Sequence, residues 1–195
     1  MELIYPPGAT PLDPDSRKGL LPSVVTQREL NEFEQHNIAS AVMWASSSKK
    51  LRTTLIFISG IQLLHKRMFD LTWTWAGTLR KTDTNLGVAW AEIPTRLKQL
   101  TDDVVYWIAN ETYAMPEIAV RFHHKLVWIH SFPNGNGRLS RLAADLLAEF
   151  YKSARPSWGR RADIVDESPA RREYLAALRE ADANRYDRLM AFAYS

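Results

Sequence analysis

The stretch His130-Ser131-Phe132-Pro133-Asn134-Gly135-Asn136-Gly137-Arg138-Leu139-Ser140-Arg141 lies between two apolar helical patterns and joins them into one unit. Before it, Pro116 suits the first turn of a helix from 116 to about 129, with Ile118, Phe122, Leu126 and Ile129 on one face. After it, Leu139, Leu142, Leu146, Leu147 and Phe150 predict a helix from 137 to about 153. Between the two, Pro133 ends regularity, and Asn134-Gly135-Asn136-Gly137 admits backbone conformations that a Cβ would penalise. Several consecutive amides can then point one way, directly into a helix N-terminus whose dipole adds to them. Arg138 and Arg141 place two cations one turn apart on the same face. A polyphosphate fits such a cradle.

His130 precedes the cradle by a few residues, so its imidazole can reach a group held against the phosphates. A neutral imidazole can take a proton at cellular pH, which suits a general base acting on a hydroxyl that attacks a bound nucleotide phosphate. Phe132 alternates with His130 and Asn134 and is expected to point inward as the anchor of the loop. Taken singly, a glycine-rich turn is a connection, paired arginines are solvated and one histidine is inert. Their concentration in a single short stretch favours a built site.

Working outward, Thr26 and Glu29 form a capping-box pair that opens a helix through Leu30, Phe33 and Ile38. Further helices are expected over about 51–70 and 93–110, and again over 168–182 and 185–193. The intervening TWTWAGTLRKTDTNLGVAW, with its Trp, Thr and Val content and Gly77 and Gly87, predicts a short β-hairpin over about 78–90. Five of the ten prolines fall between Pro6 and Pro22, so residues 1–25 read as an extended N-terminal arm. Residues 26–195 read as one mostly α-helical domain.

The composition agrees. The chain has 195 residues, 46% of them hydrophobic, enough for one sizeable core and against intrinsic disorder. No cysteine is present, which excludes disulfides, thiolate zinc sites and a cysteine nucleophile, and fits a cytoplasmic location. The longest apolar run, 55–64, is half of the roughly 20 residues a membrane span requires, so a soluble protein is expected. Twenty-five Lys and Arg against 22 Asp and Glu leave a net charge of +3, mildly basic, and this alone assigns no partner.

HSFPNGNGRLSR resembles the Fic family signature, H-x-F-x-(D/E/N)-G-N-G-R-x-x-R, at every defined position. Trp75-Ala76-Gly77 with Arg80 is similar to the stretch leading into that family's flap hairpin, and RREYLAALREADANRYDRLMAFA is similar to its closing helices. ATPLDPDSRKGLLP and ELNEFEQHNI resemble the subgroup called mobile mystery protein B. The resemblance implies a helical Fic-type bundle with a short β-hairpin flap. It implies transfer of AMP from ATP, with Mg²⁺, to a Ser, Thr or Tyr hydroxyl of a target protein. His130 matches the catalytic base; Gly135, Asn136, Gly137 and Arg138 match the phosphate site; Arg141 matches the arginine on the terminal phosphate. Asn134 stands where most AMP-transferring members have a metal-binding Asp or Glu; by this match it is the metal residue, and its amide oxygen can ligate Mg²⁺ but brings no charge, so metal binding depends more on the nucleotide's own oxygens. Gly137 before Arg138, where phosphorylating relatives have Lys, favours AMP transfer. The subgroup resemblance implies a toxin-like protein with a small regulatory, antitoxin-like partner.

Other sites are weaker. His123 and His124 lack metal-ligand spacing and are expected to hydrogen-bond within the fold. Lys152, Arg155, Arg160 and Arg161 read as a solvated basic surface, without a nucleic-acid recognition signature. Family members with an inhibitory helix carry S/T-x-x-x-E-G/N. Glu34 is the nearest match here, but Leu30 stands in the Ser/Thr position, and Glu34 is read as a surface residue that, if inhibitory, would pair with Arg141. The alternatives to AMP transfer are transfer of another phosphate-containing group, and a non-catalytic helical protein binding nucleotide or nucleic acid.

Overall fold

The computed structural model describes residues 11–24, 26–159 and 168–195. The Thr26–Glu29 pair forms as the sequence predicts: the Glu29 amide donates to Thr26 Oγ1 at 3.2 Å and the Thr26 amide to Glu29 Oε2 at 3.1 Å. Such a cap is worth about 1 kcal/mol. It opens α2 (Gln27–Ser47), which turns Leu30, Glu34, Asn37, Ala41 and Ala45 inward. The single helix expected over 51–70 is two, α3 (Lys49–Thr54) and α4 (Ile58–Phe69). Thr53 and Thr54 turn their hydroxyls back onto the carbonyl of Lys50, at 3.0 and 2.8 Å, a local bond that competes with helix continuation. Gly60 then packs so tightly under the break that a Cβ there would lie 1.9 Å from the Thr54 carbonyl oxygen.

α5 (Ile93–Ala109), α6 (Met115–Ile129), α7 (Asn136–Phe150), α8 (Pro169–Asp182) and α9 (Asp187–Ala193) match the sequence reading to within a few residues. The α6–α7 pair is central and buried on two sides. One side meets α2, α4 and α5 through Leu64, Met68, Phe69, Leu97, Phe122, Leu126 and Leu146. The other presents the small residues Ala119, Ala144 and Ala148, against which α8 and α9 close with Tyr174, Leu189 and Phe192. The elements flanking the 130–135 turn are thus fixed from both sides, as a precise site requires.

The arm and the 78–90 segment differ in detail from the sequence reading. Within the arm, Asp13 caps a short α1 (Pro14–Arg17), and the following residues run beside 72–74, where Leu21 N–H donates to the Thr72 carbonyl at 2.9 Å and Thr74 N–H to the Gly19 carbonyl at 2.8 Å. Residues 1–10 of the arm, and Arg160 and Arg161 of the basic run, lie outside the described residues. No β-hairpin forms over 78–90; among the described residues the one β-type pairing is the isolated bridge of Leu20 with Trp73. Side chains take the backbone partners that a ladder would have used. Arg80 binds the carbonyls of Thr82 and Val88, Asp83 Oδ1 accepts from Trp90 N–H at 2.7 Å, and Thr84 Oγ1 donates to the Leu86 carbonyl at 2.6 Å. The segment then enters a 3₁₀ turn, Trp90–Glu92. Among the described residues no helix is long and apolar enough to cross a membrane.

Candidate active site

α6 stops at His130, which adopts a left-handed conformation, φ 55° and ψ 59°, uncommon for a residue with a Cβ. Its Nδ1 lies 3.3 Å from the Val127 carbonyl, which assigns the ring proton to Nδ1 in the neutral form and the lone pair to Nε2. The 80–88 segment lies against the backbone and the Cβ of His130. Gly87 (φ +96°) approaches so closely that a Cβ would fall 2.4 Å from His130 Cβ, so glycine is required on two counts. Burial pushes the imidazole down to about 4, against the Val127 carbonyl and with the Arg80 charge. At physiological pH His130 is therefore neutral and able to accept a proton.

Phe132 points inward and stacks on His65, with ring centroids 3.8 Å apart and planes 8° apart. His65 fixes the loop backbone from below: its Nδ1 accepts from Gly77 N–H at 2.9 Å, and its Nε2–H donates to the Asn134 carbonyl at 3.0 Å. Full burial holds its imidazole down at about 3, so this arrangement of one donor and one acceptor persists. Asn136 brackets the backbone of Phe132, its Oδ1 accepting from N–H at 3.0 Å and its Nδ2 donating to the carbonyl at 2.8 Å. Gly135 (φ +79°) caps α7, and a Cβ there would meet the Phe69 ring at 2.6 Å.

The Gly135 amide is taken by Asn134 Oδ1 at 2.6 Å. The next three amides, of Asn136, Gly137 and Arg138, open α7 and have no carbonyl one turn back within the helix. The sequence reading expects its anion cradle here; at Asn136 the backbone amide alone is left to serve it, because the side chain braces the loop. Arg141 sits one turn after Arg138, its guanidinium 5.8 Å from the Tyr174 ring centre.

Arg138 is engaged. Its Nη1 donates to Glu34 Oε2 at 2.6 Å, its Nη2 reaches Asn134 Oδ1 at 3.3 Å, and its guanidinium lies over the Phe69 ring. Glu34 is therefore no surface residue: it is 6% exposed, and its Oε1 accepts from Trp73 Nε1 at 2.7 Å. It follows Leu30 by one helical turn on the stripe that α2 buries, and this stripe carries it to the cradle. Its partner is Arg138 and not Arg141.

His124 bonds to the Tyr186 hydroxyl and to Asp182, both at 2.9 Å, and His123 to the Tyr174 hydroxyl at 3.0 Å, internal roles as expected. Among the described residues no three His, Cys, Asp or Glu side chains gather as a metal site. As arranged, the Asn134 side-chain oxygen accepts from an amide and from a cationic guanidinium, so it is an uncharged and already engaged ligand for Mg²⁺. His65, Trp73 and Arg80 carry no isolated sequence signal; Arg80 entered only through the resemblance.

Residues 56–148 match the family model described as Fic/DOC family. Over 131 residues the chain is 31% identical to "Protein adenylyltransferase fic-1" of Caenorhabditis briggsae, an alignment covering 65% of this chain and 24% of that protein. The chain thus spans about a quarter of the length of this relative. Among solved structures, BepC from Bartonella tribocorum with bound AMPPNP superposes with a TM-score of 0.68 at 16% identity, covering 92% of this chain and 96% of that one. C. elegans Fic-1 (residues 134–508) superposes with a TM-score of 0.65 at 24% identity, covering 89% and 50%. These two share the fold. Residues 56–148, which include the whole His130–Arg141 stretch, are thus the part of the chain that is similar to the Fic/DOC family.

Proposed function

We propose that the chain is a protein adenylyltransferase that moves AMP from ATP to a hydroxyl side chain of a target protein. The observation that carries this reading is a buried imidazole, His130, at the end of α6, followed after a short turn by the first amides of α7, which have no carbonyl partner one turn back in the helix. The curated relative named as an adenylyltransferase and the AMPPNP-bound neighbour support it.

In this reading His130 Nε2 takes the proton of the target hydroxyl. The hydroxyl oxygen forms a bond to the α-phosphorus as the bond from that phosphorus to the bridging oxygen breaks, and pyrophosphate leaves with the electron pair. The amides of Asn136, Gly137 and Arg138 and the guanidinium groups of Arg138 and Arg141 bind and neutralise the phosphate chain. The 80–88 segment, packed on His130, forms the wall nearest the attacking hydroxyl. Mg²⁺ accompanying the nucleotide would be held chiefly by the nucleotide's own oxygens, since Asn134 brings no charge, and would help to neutralise the phosphates.

The Glu34–Arg138 pair makes this a resting form: a carboxylate occupies donors that the phosphates need. The small regulatory, antitoxin-like protein that the N-terminal resemblance implies, acting in the cytoplasm, would act on this pair. Incubation with α-labelled and γ-labelled ATP in lysate tests the reaction. Label reaching protein from the α position alone supports AMP transfer; label from the γ position points to phosphorylation, and none from either to a binding protein.

A further inference from the structure

We propose that Arg80 is a positioning residue that holds His130 and the 80–88 segment as one unit, so that the base and the wall facing the acceptor hydroxyl move together. The inference rests on the reading of His130 as the base, but its geometry stands independently.

Arg80 is an internal arginine, its side chain 1% exposed. Its Nε donates to the His130 carbonyl at 2.7 Å, its Nη1 to the Thr82 carbonyl at 2.8 Å and its Nη2 to the Val88 carbonyl. Its own amide donates to the Ser131 carbonyl at 3.0 Å. The guanidinium fork thus joins both ends of the 80–88 segment to the turn that carries the base, a geometry that a lysine ammonium cannot copy. His130 needs such a brace. Left-handed backbone at a non-glycine residue is strained and persists only where the surroundings over-determine it. Arg80 grips the carbonyl of that residue, while Val88 N–H reaches the Ile129 carbonyl at 3.4 Å and Gly87 lies against the His130 side chain.

Among the described residues Arg80 is a charged group that bears on the imidazole, and Asp83, 3.7 Å from Arg80 Nη1, projects largely into solvent. Loosening the brace would re-expose the ring, so its titration should rise toward the ordinary value.

The test follows the ring resonances of His130, assigned by their loss in His130→Gln, across a pH titration of the wild type, Arg80→Lys and Arg80→Gln. Thr101→Val, a buried change on α5 that removes a 2.7 Å bond to the Ile56 carbonyl, is the matched control for destabilisation. The expected result is titration near 4 in the wild type and control and clearly higher in both Arg80 variants. In label transfer, kcat falls on the order of 10²-fold in Arg80→Lys with KM for ATP unchanged, the scale of a misplaced reacting group. Should neither Arg80 variant fold, Gly87→Ala breaks the same packing from the other side and is expected to raise the titration likewise. An unshifted His130 in the folded variants, or a kcat loss no larger than in Thr101→Val, overturns the proposal. A wild type that titrates as expected but transfers no label retires the adenylyltransferase reading and leaves the positioning role standing.

Discussion

Arg80 and Arg138 both flank the turn between α6 and α7, and both are held in place, yet by partners of opposite kinds. Arg80 commits its donors to three backbone carbonyls and is sealed, its side chain 1% exposed; Arg138 commits Nη1 to one carboxylate and keeps its side chain 29% exposed. No ligand can replace a backbone carbonyl without dismantling the fold, whereas a phosphate oxygen can replace a carboxylate oxygen on the same guanidinium. The His130 side of the site is accordingly scaffold, and the Arg138 side is exchangeable.

The largest expected effect comes from removing the group the scaffold presents. His130→Ala should lower transfer by about 10²-fold to 10⁴-fold while leaving ATP affinity nearly unchanged, because the base acts on the hydroxyl and not on the phosphates. Isothermal titration with ATP beside a label-transfer assay separates the two; matched losses in both would place His130 in nucleotide binding instead.

Next comes the exchangeable side. Hydrogen bonds to charged groups contribute about 1.5–3 kcal/mol, so Glu34→Gly should tighten nucleotide binding by roughly 10-fold to 100-fold. Pairing with Arg138, in the first turn of α7, predicts that ATP and ADP tighten alike, whereas pairing with Arg141 would have favoured ATP. Glu34→Gln, which keeps an acceptor for Trp73 and loses the charge, should fall between. Unchanged affinities in both variants would make the pair structural.

Much of this comparison was legible in the sequence, but unevenly. The 130–141 turn could be read because local residues make it: Pro133 stops α6, Gly135 supplies positive φ, and α7 begins at once. Phe132 was placed inward by alternation alone. The 78–90 segment could not be read, because its conformation depends on Arg80 reaching the His130 carbonyl, 50 residues away. Its Thr and Val content predicts strands, and those side-chain bonds override the propensity. Glu34 failed for a related reason. A glutamate on a helix is ordinarily solvated, and only the packing of α2 against α4 brings it to Arg138, 104 residues distant.

A smaller effect concerns pH. His130 and His65 are neutral in the fold, at about 4 and about 3, against an ordinary value of 6.5. Below 6.5 the unfolded chain takes up protons that the folded one refuses. Stability is therefore full above 6.5 and is lost progressively as pH falls toward those folded values. Transfer should stay level through neutral pH and decline only near 4, and circular dichroism at each pH separates titration of the base from unfolding. A rate that declines near 6.5 in a folded protein would show that His130 is not buried as described.

The smallest expected effect belongs to Asn134→Asp. A carboxylate has a second oxygen, so it can keep the Gly135 amide and still offer charge to a cation that accompanies the nucleotide. The Mg²⁺ concentration for half-maximal transfer should fall. An unchanged requirement would confine residue 134 to holding the loop and Arg138.

The most direct measurement is transfer from α-labelled ATP by three proteins side by side: the wild type, Glu34→Gly, and Glu34→Gly combined with His130→Ala. A phosphate side held by Glu34 and a base side already formed predict weak labelling by the wild type, strong labelling by Glu34→Gly and none above background by the double variant. Equal labelling by the first two, or undiminished labelling by the third, would contradict the account.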